Sequence, residues 1–251
     1  MALRGGWGQP ERRHFFKHNN INTRMKTDYI AIDTETGGTR PGRHALLSIA
    51  ACTSWGSEPF LVHLWPAGGY SIELGAIKVN GYSEGEWKER RAMSLFAGME
   101  KLTGWLKARF AEKEGARMLA HNAGFDRMFL DEACAITGLK MPIRHSWRCS
   151  MDKMGCLMDA GVIGQGKATL ARLGELAGLW PVDGRPEIHE AGQDAAACLY
   201  GYLWMLEQET KRVVELKELY VRALQKGTQL EMLLEQANKK VAALSGEVGH
   251  D

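Results

Sequence analysis

The chain has 251 residues, 45% hydrophobic and 25% charged, enough for one sizeable core of domain size with an appendage. No apolar run approaches the roughly 20 residues of a membrane helix, and no basic start leads into an apolar stretch, so neither a membrane-spanning nor a secretory class is expected. Net charge is only +2, but residues 1–27 hold six basic residues against Glu11, a local net of +5, leaving 26 basic and 29 acidic residues in the remainder.

A basic arm on a slightly acidic body can touch phosphates. It can equally be a disordered leader, and Met25, directly before the first strand, would make a natural start for the folded domain. A mitochondrial leader is a third reading. The five cysteines at 52, 134, 149, 156 and 198 form no C-x-x-C pair and are odd in number, which argues against a disulfide framework and a zinc ribbon. Free, mostly buried thiols in a reducing cytoplasm are expected.

In chain order, Tyr29 to Asp33 reads as a short buried strand ending at Gly37-Gly38. His44 to Thr53 and Pro59 to Trp65 read as second and third strands, and Ser71 to Gly81 as a connector. Leu95, Met99, Leu102, Trp105, Leu106 and Phe110 place a long helix over roughly Trp87 to Lys113. Met118 to His121 is a short strand, turning at Asn122-Ala-Gly124 into a helix with Phe125, Met128, Phe129 and Ala133. Residues 143–151 read as a fifth strand, Lys167 to Leu179 as a helix, Pro181 to Pro186 as a loop, and a last helix begins near Ala191. This order predicts an α/β domain on a mixed sheet. From Val213 the apolar positions Leu216, Tyr220, Ala223, Gly227, Leu230, Leu234, Ala237, Val241 and Leu244 alternate by three and four, a heptad seam of more than four repeats. An amphipathic helix packed on its own domain and a coiled coil for self-association or a protein partner both fit that seam.

Three acidic segments carry the chemistry. In a strand, residues i and i+2 share a side, so Asp33 and Glu35 present two carboxylates together while Thr34 turns away. Such a pair is unfavourable without a cation or proton, and Mg²⁺ takes oxygen ligands of this kind. In His121-Asn-Ala-Gly-Phe-Asp126, the aspartate falls in the first turn of a helix, where the dipole favours it. In His189-Glu-Ala-Gly-Gln-Asp194, Asp194 opens the final helix, and His189 can take a proton from water near neutral pH.

Asp-x-Glu on the first strand, Asp after a His-Asn-x-x-Phe turn, and His-x-Ala-x-x-Asp before a helix together resemble the DEDDh 3'→5' exonuclease superfamily of polymerase proofreading subunits and ribonuclease T. Ile32-Asp-Thr-Glu-Thr-Gly37 matches its first motif, His121 to Asp126 its second, and Ala168-Thr-Leu170 with Leu173 and Leu176 resembles the helix before its third. The resemblance covers roughly residues 27–208. It implies a ribonuclease H-like fold, a five-stranded mixed sheet flanked by helices, here with a long C-terminal helix. It implies Asp33, Glu35, Asp126 and Asp194 as catalytic ligands of two Mg²⁺ or Mn²⁺ ions and His189 as general base. Glu190, Gly192 and Gln193 fill the variable places of the third motif, Glu190 adding a negative charge that is either solvated or tunes His189.

The expected organisation is a basic N-terminal arm over 1–26, an exonuclease domain over 27–208 and a helical or coiled-coil tail over 209–251. The expected activity is hydrolysis of single-stranded 3' ends to nucleoside 5'-monophosphates, DNA slightly ahead of RNA. Thr34, Thr36, Gly37, Asn122 and Phe125 are the candidate substrate contacts, with a core role also open for Phe125, Trp147 and Trp180. Gly37 and Gly38 let backbone approach the terminal nucleotide closely. The competing expectations are a non-catalytic interaction protein working through the tail, an RNA-trimming exoribonuclease, and an internally cutting ribonuclease H.

Overall fold

The computed structural model describes residues 27–143, 146–180 and 189–246, with side chains in the last stretch for 189–226 and 232–239. The basic arm and the 181–186 loop lie outside them. Five strands, β1 (Tyr29–Thr36), β2 (Leu46–Thr53), β3 (Phe60–His63), β4 (Arg117–Ala120) and β5 (Arg148–Cys149), form one sheet in the order β3-β2-β1-β4-β5. β2 runs antiparallel to β1 and β3, and β4 and β5 run parallel to β1. The helices are α1 (Leu74–Asn80), α2 (Glu84–Glu89), α3 (Leu95–Glu112), α4 (Ala123–Thr137), α5 (Ser150–Asp159), α6 (Leu170–Leu176) and α7 (Ala191–Gly246). The fold is the mixed, helix-flanked sheet expected, with a long C-terminal helix.

The two-residue alternation of β1 divides the core. Ile30 and Ile32 face one layer, built from Met99, Leu102 and Leu106 of α3 and Phe129, Leu130 and Ala133 of α4. Tyr29 and Ala31 face the other, with Met154, Leu157 and Met158 of α5, Leu173 of α6, and Cys198, Leu199 and Tyr202 of α7. Asp33 and Glu35 continue the second set, so their carboxylates belong to the α7 side.

Several elements differ from the sequence expectation. The connector at 71–81 contains α1, closed by Gly81 at φ 67° donating to the Ile77 carbonyl at 2.8 Å. A helix of fewer than two turns is too short to print an apolar period, and its Leu74 is 78% exposed. The single helix expected over Trp87–Lys113 is two helices. Arg91 takes φ 56°, and Met93 leaves the helical path to pair with the sheet edge, donating to His63 O and accepting from Trp65 N, both at 2.9 Å. Ser94 then restarts the chain as the N-cap of α3. The fifth strand shrinks to Arg148–Cys149, and Ser150 opens α5, a helix the sequence reading lacked. The helix expected over Lys167–Leu179 is α6, trimmed by its Thr169 cap and by Gly178 at φ 67°. No described helix is long and apolar enough to cross a membrane.

The cysteines are free; Cys198 is buried and Cys156 exposed. Trp147 and Trp180 pack on the two core layers, Trp180 so closely against α6 that a side chain at Gly174 would overlap its ring. α7 runs 56 residues without a break across 208–209, where the expected tail begins.

Candidate metal and nucleic-acid site

The acidic side chains are arranged around the end of β1, which outruns its neighbour. β4 pairs with β1 only as far as Leu119 opposite Ala31. Beyond that point the α4 side of β1 is open, and Asp126, in the first turn of α4, fills the gap. Its Oδ1 accepts from Thr34 N at 3.0 Å and from Thr34 Oγ1 at 2.9 Å. Asp126 thus arrives from one face of the sheet at the residue between Asp33 and Glu35, which face the other. Burial pushes its carboxyl up to about 7, against the lowering effect of the Thr34 hydrogen bonds.

On the α7 face, Glu35, His189 and Asp194 converge, with one ligand atom from each all lying within 4.8 Å of one another. Small side chains allow that approach. Ala191 and Ala195, four apart on α7, pack with Ala50 of β2 in a buried cluster, and Asp33 is registered opposite Ala50. A larger residue at 191 or 195 would lift the first turn of α7, and Asp194 with it, off the sheet.

Under the acids lies a second row of polar groups. Cys198, one turn after Asp194, is fully buried, and its thiol is held well above its ordinary value by burial and, further, by the charges of Asp33 and Asp126. Its Sγ is 3.4 Å from Ser150 Oγ, which is 2.8 Å from His121 Nδ1. His121 therefore ties the end of β4 to the start of α5.

The sequence reading missed the group that holds His189. Its backbone N–H donates to Val79 O at 2.8 Å, near the C-terminal end of α1. Asn80 of α1 is buried and donates to Thr36 O at 2.9 Å, so α1 links the end of β1 to the His189 segment. Next to it, Glu190 accepts from Arg90 Nη2 at 3.2 Å and from Gln193 Nε2 at 3.1 Å. Arg90 also pairs with Glu86 at 2.7 Å, lies 5.6 Å from the Trp87 ring centre, and stands 3.2 Å from His63 Nε2. Burial and then the Arg90 charge push His63 down to about 4, so it is neutral near pH 7 and accepts this bond. Glu190 is thus paired rather than merely solvated. No spacing rule joins positions 90 and 190; only the fold does.

The candidate substrate contacts separate into two kinds. The hydroxyls of Thr34 and Thr36 are engaged internally, the latter donating to Gly38 O at 2.7 Å. Gly37 has no room for a side chain, since a Cβ would sit 2.6 Å from Ser71 O, and a Cβ at Gly38 would overlap the buried His44 ring. Asn122 is exposed at the start of α4, and Phe125 is half-buried with its ring centre 5.0 Å from that of Phe129.

No family model matches the chain. Among curated proteins, it is 30% identical to ribonuclease T of Klebsiella pneumoniae over 133 residues, covering 49% of this chain and 61% of that protein. It is also 30% identical to the 3'-5' DNA exonuclease Cap18 of Escherichia coli over 111 residues, covering 43% of this chain and 58% of the relative. The matches thus span about three-fifths of the length of these relatives. Among solved structures, E. coli exonuclease I in complex with a dT13 oligonucleotide aligns with a TM-score of 0.62 at 17% identity, over 76% of this chain and 43% of that one. The nuclease domain of 3'hExo, a DEDDh family member bound to rAMP, aligns with a TM-score of 0.56 at 18% identity, over 72% and 92% of the two chains. The chain thus shares its fold with these solved structures and part of its sequence with these two nucleases.

Proposed function

We propose that this chain is a metal-dependent 3'→5' exonuclease that removes nucleoside 5'-monophosphates from single-stranded ends. The observation that carries the reading is the convergence of Glu35, His189 and Asp194 within 4.8 Å, with Asp126 fastened to the residue between Asp33 and Glu35. The donor set fits hard divalent cations: carboxylate oxygens, one of them so poorly solvated that its proton stays on to about pH 7 unless a cation compensates it. Asp33, Glu35, Asp126 and Asp194 would hold two Mg²⁺ or Mn²⁺ ions, whose charge lowers the pKa of an attacking water and stabilises the phosphate as it gains charge.

The chain's own groups do the rest. His189 would take the proton of the attacking water as general base. The Val79 carbonyl and the Arg90–Glu190 pair hold the segment carrying His189 against the site. Thr34 fixes the rotamer of Asp126. Asn122 offers an amide to phosphate and the half-exposed ring of Phe125 offers a face to a base, whereas the missing side chains of Gly37 and Gly38 make room for Ser71 and His44 rather than for a nucleotide. Thr34 and Thr36 shape this surface through their internal bonds rather than through free hydroxyls.

DNA as substrate is favoured by the exonuclease names among the relatives, one of which is a DNA exonuclease and one of which was solved on a dT13 strand. RNA trimming is the second reading, favoured by the similarity to ribonuclease T. Digestion of 5'-labelled single- and double-stranded DNA and RNA, with Mg²⁺, Mn²⁺ or EDTA, tests both. A ladder shortening one nucleotide at a time, abolished by EDTA and fastest on single strands, is expected. Internal cuts, or no cleavage with either metal, would remove the proposal.

A further inference from the structure

We infer that residues 213–244 of α7 pair with the same segment of a second copy as an antiparallel two-stranded coiled coil. In the structure, every described side chain from Thr210 to Lys226 and from Met232 to Lys239 is exposed, including Val213 at 45%, Tyr220 at 65% and Leu234 at 64%. A stripe of this length and apolar content does not stay bare in water, and among the described residues nothing of the chain's own domain covers it.

The order of residue sizes along the seam identifies the occupant. One set of seam positions reads Val213, Tyr220, Gly227, Leu234, Val241, and the other reads Leu216, Ala223, Leu230, Ala237, Leu244. In a parallel dimer each position meets itself. Tyrosine then crowds tyrosine, glycine meets glycine, and two layers hold only alanines. An antiparallel pair with 213 opposite 244 gives different layers. Tyr220 meets Ala237 of the second copy and Ala223 meets Leu234. Each small residue then faces a large one, the condition for even packing across facing positions. Sliding the pair by one heptad destroys the match, because Ala223 and Ala237 then lose Leu234 and Tyr220 as partners. A seam that is complementary to its own reverse, and in one register, fits a second copy better than an unrelated helix. The pairing sets the two nuclease domains at opposite ends of a rod roughly 50 Å long.

Sedimentation velocity on the full chain should give a dimer at micromolar concentration. Leu234→Asp, and separately Leu216→Asp, should weaken it by more than about 100-fold without changing secondary structure or the rate of strand digestion per chain. Register is read by cross-linking in a Cys156→Ser background, which removes the exposed native thiol. Ala223→Cys and Leu234→Cys chains should form a disulfide when mixed and oxidised, while each alone should not, since positions 223 and 223 of an antiparallel pair lie too far apart to bridge. A monomeric full chain, a dimer indifferent to both aspartates, or self-cross-linking of the Ala223→Cys chain alone would overturn the proposal. The sedimentation and cross-linking readouts do not depend on the exonuclease reading.

Discussion

Asp126 is the side chain on which burial and charge conflict most directly. Its folded pKa of about 7 lies above the ordinary carboxyl value of 3.8, so between those two values the metal-free folded state holds a proton that the unfolded state releases. The sign follows: stability of the metal-free protein falls as pH rises from about 4 to 7, and the cost is fully present above 7. Asp126→Asn keeps an oxygen for Thr34 and removes the charge. At pH 8 without metal it should stabilise the protein by roughly 1–3 kcal/mol, less than the whole shift because the new amide needs a partner of its own. Thermal unfolding with and without Mg²⁺ checks this: the wild type should gain stability from the ion and the variant far less. His189 carries a separate expectation. As the base it contributes about 10²–10⁴-fold to rate, so His189→Ala should lose activity within that range while still binding metal and strand. Full activity in the variant at neutral pH would assign proton removal to another group.

Among the elements, the short segment α1–α2 does the most for its size. It reaches the His189 segment twice, through Val79 O and through Arg90 to Glu190, and it fastens the end of β1 through Asn80. The Arg90–Glu190 pair is partly exposed, with side chains 30% and 41% accessible, so its worth as stability is small. Its value is positional, because it limits where His189 can stand. Glu190→Gln should therefore lower kcat roughly tenfold and leave KM and the unfolding temperature nearly unchanged. Arg90→Lys should preserve more activity than Arg90→Ala. Steady-state kinetics on a labelled single strand makes the measurement, and a variant altered in KM alone would mean that Glu190 touches substrate instead.

At the scale of the molecule, α7 belongs to two regimes. Its first turns are core: Ala191, Ala195, Cys198, Leu199, Tyr202 and Met205 are buried, and Lys153 pairs with Glu209. From Thr210 every described side chain is exposed. Ending the chain after Arg212 removes no described core contact, so the shortened protein should stay soluble, change its Tm by less than about 2 °C and keep its digestion rate on short single strands. Calorimetry and the labelled-strand assay test this together. An insoluble or unfolded product would mean that the tail covers its own domain.

Sequence alone was sufficient wherever the information is local. The alternation Asp33-Thr34-Glu35 fixes two carboxylates on one face because the strand period is two. The apolar spacing of α4 and of the tail marks helices because their periods are long enough to repeat. The motifs around Asp126 and Asp194 pointed to a known fold through their order in the chain. Other features were illegible for physical reasons. α1 is shorter than two full turns, and the break before α3 depends on Met93 finding a partner at the sheet edge. Tertiary structure alone decided that Asp126 bonds to Thr34, across 92 positions, and that Arg90 reaches Glu190, across 100. Such contacts leave no period in the chain. They arise because β4 stops short of the end of β1, and because three alanines let α7 settle onto the sheet.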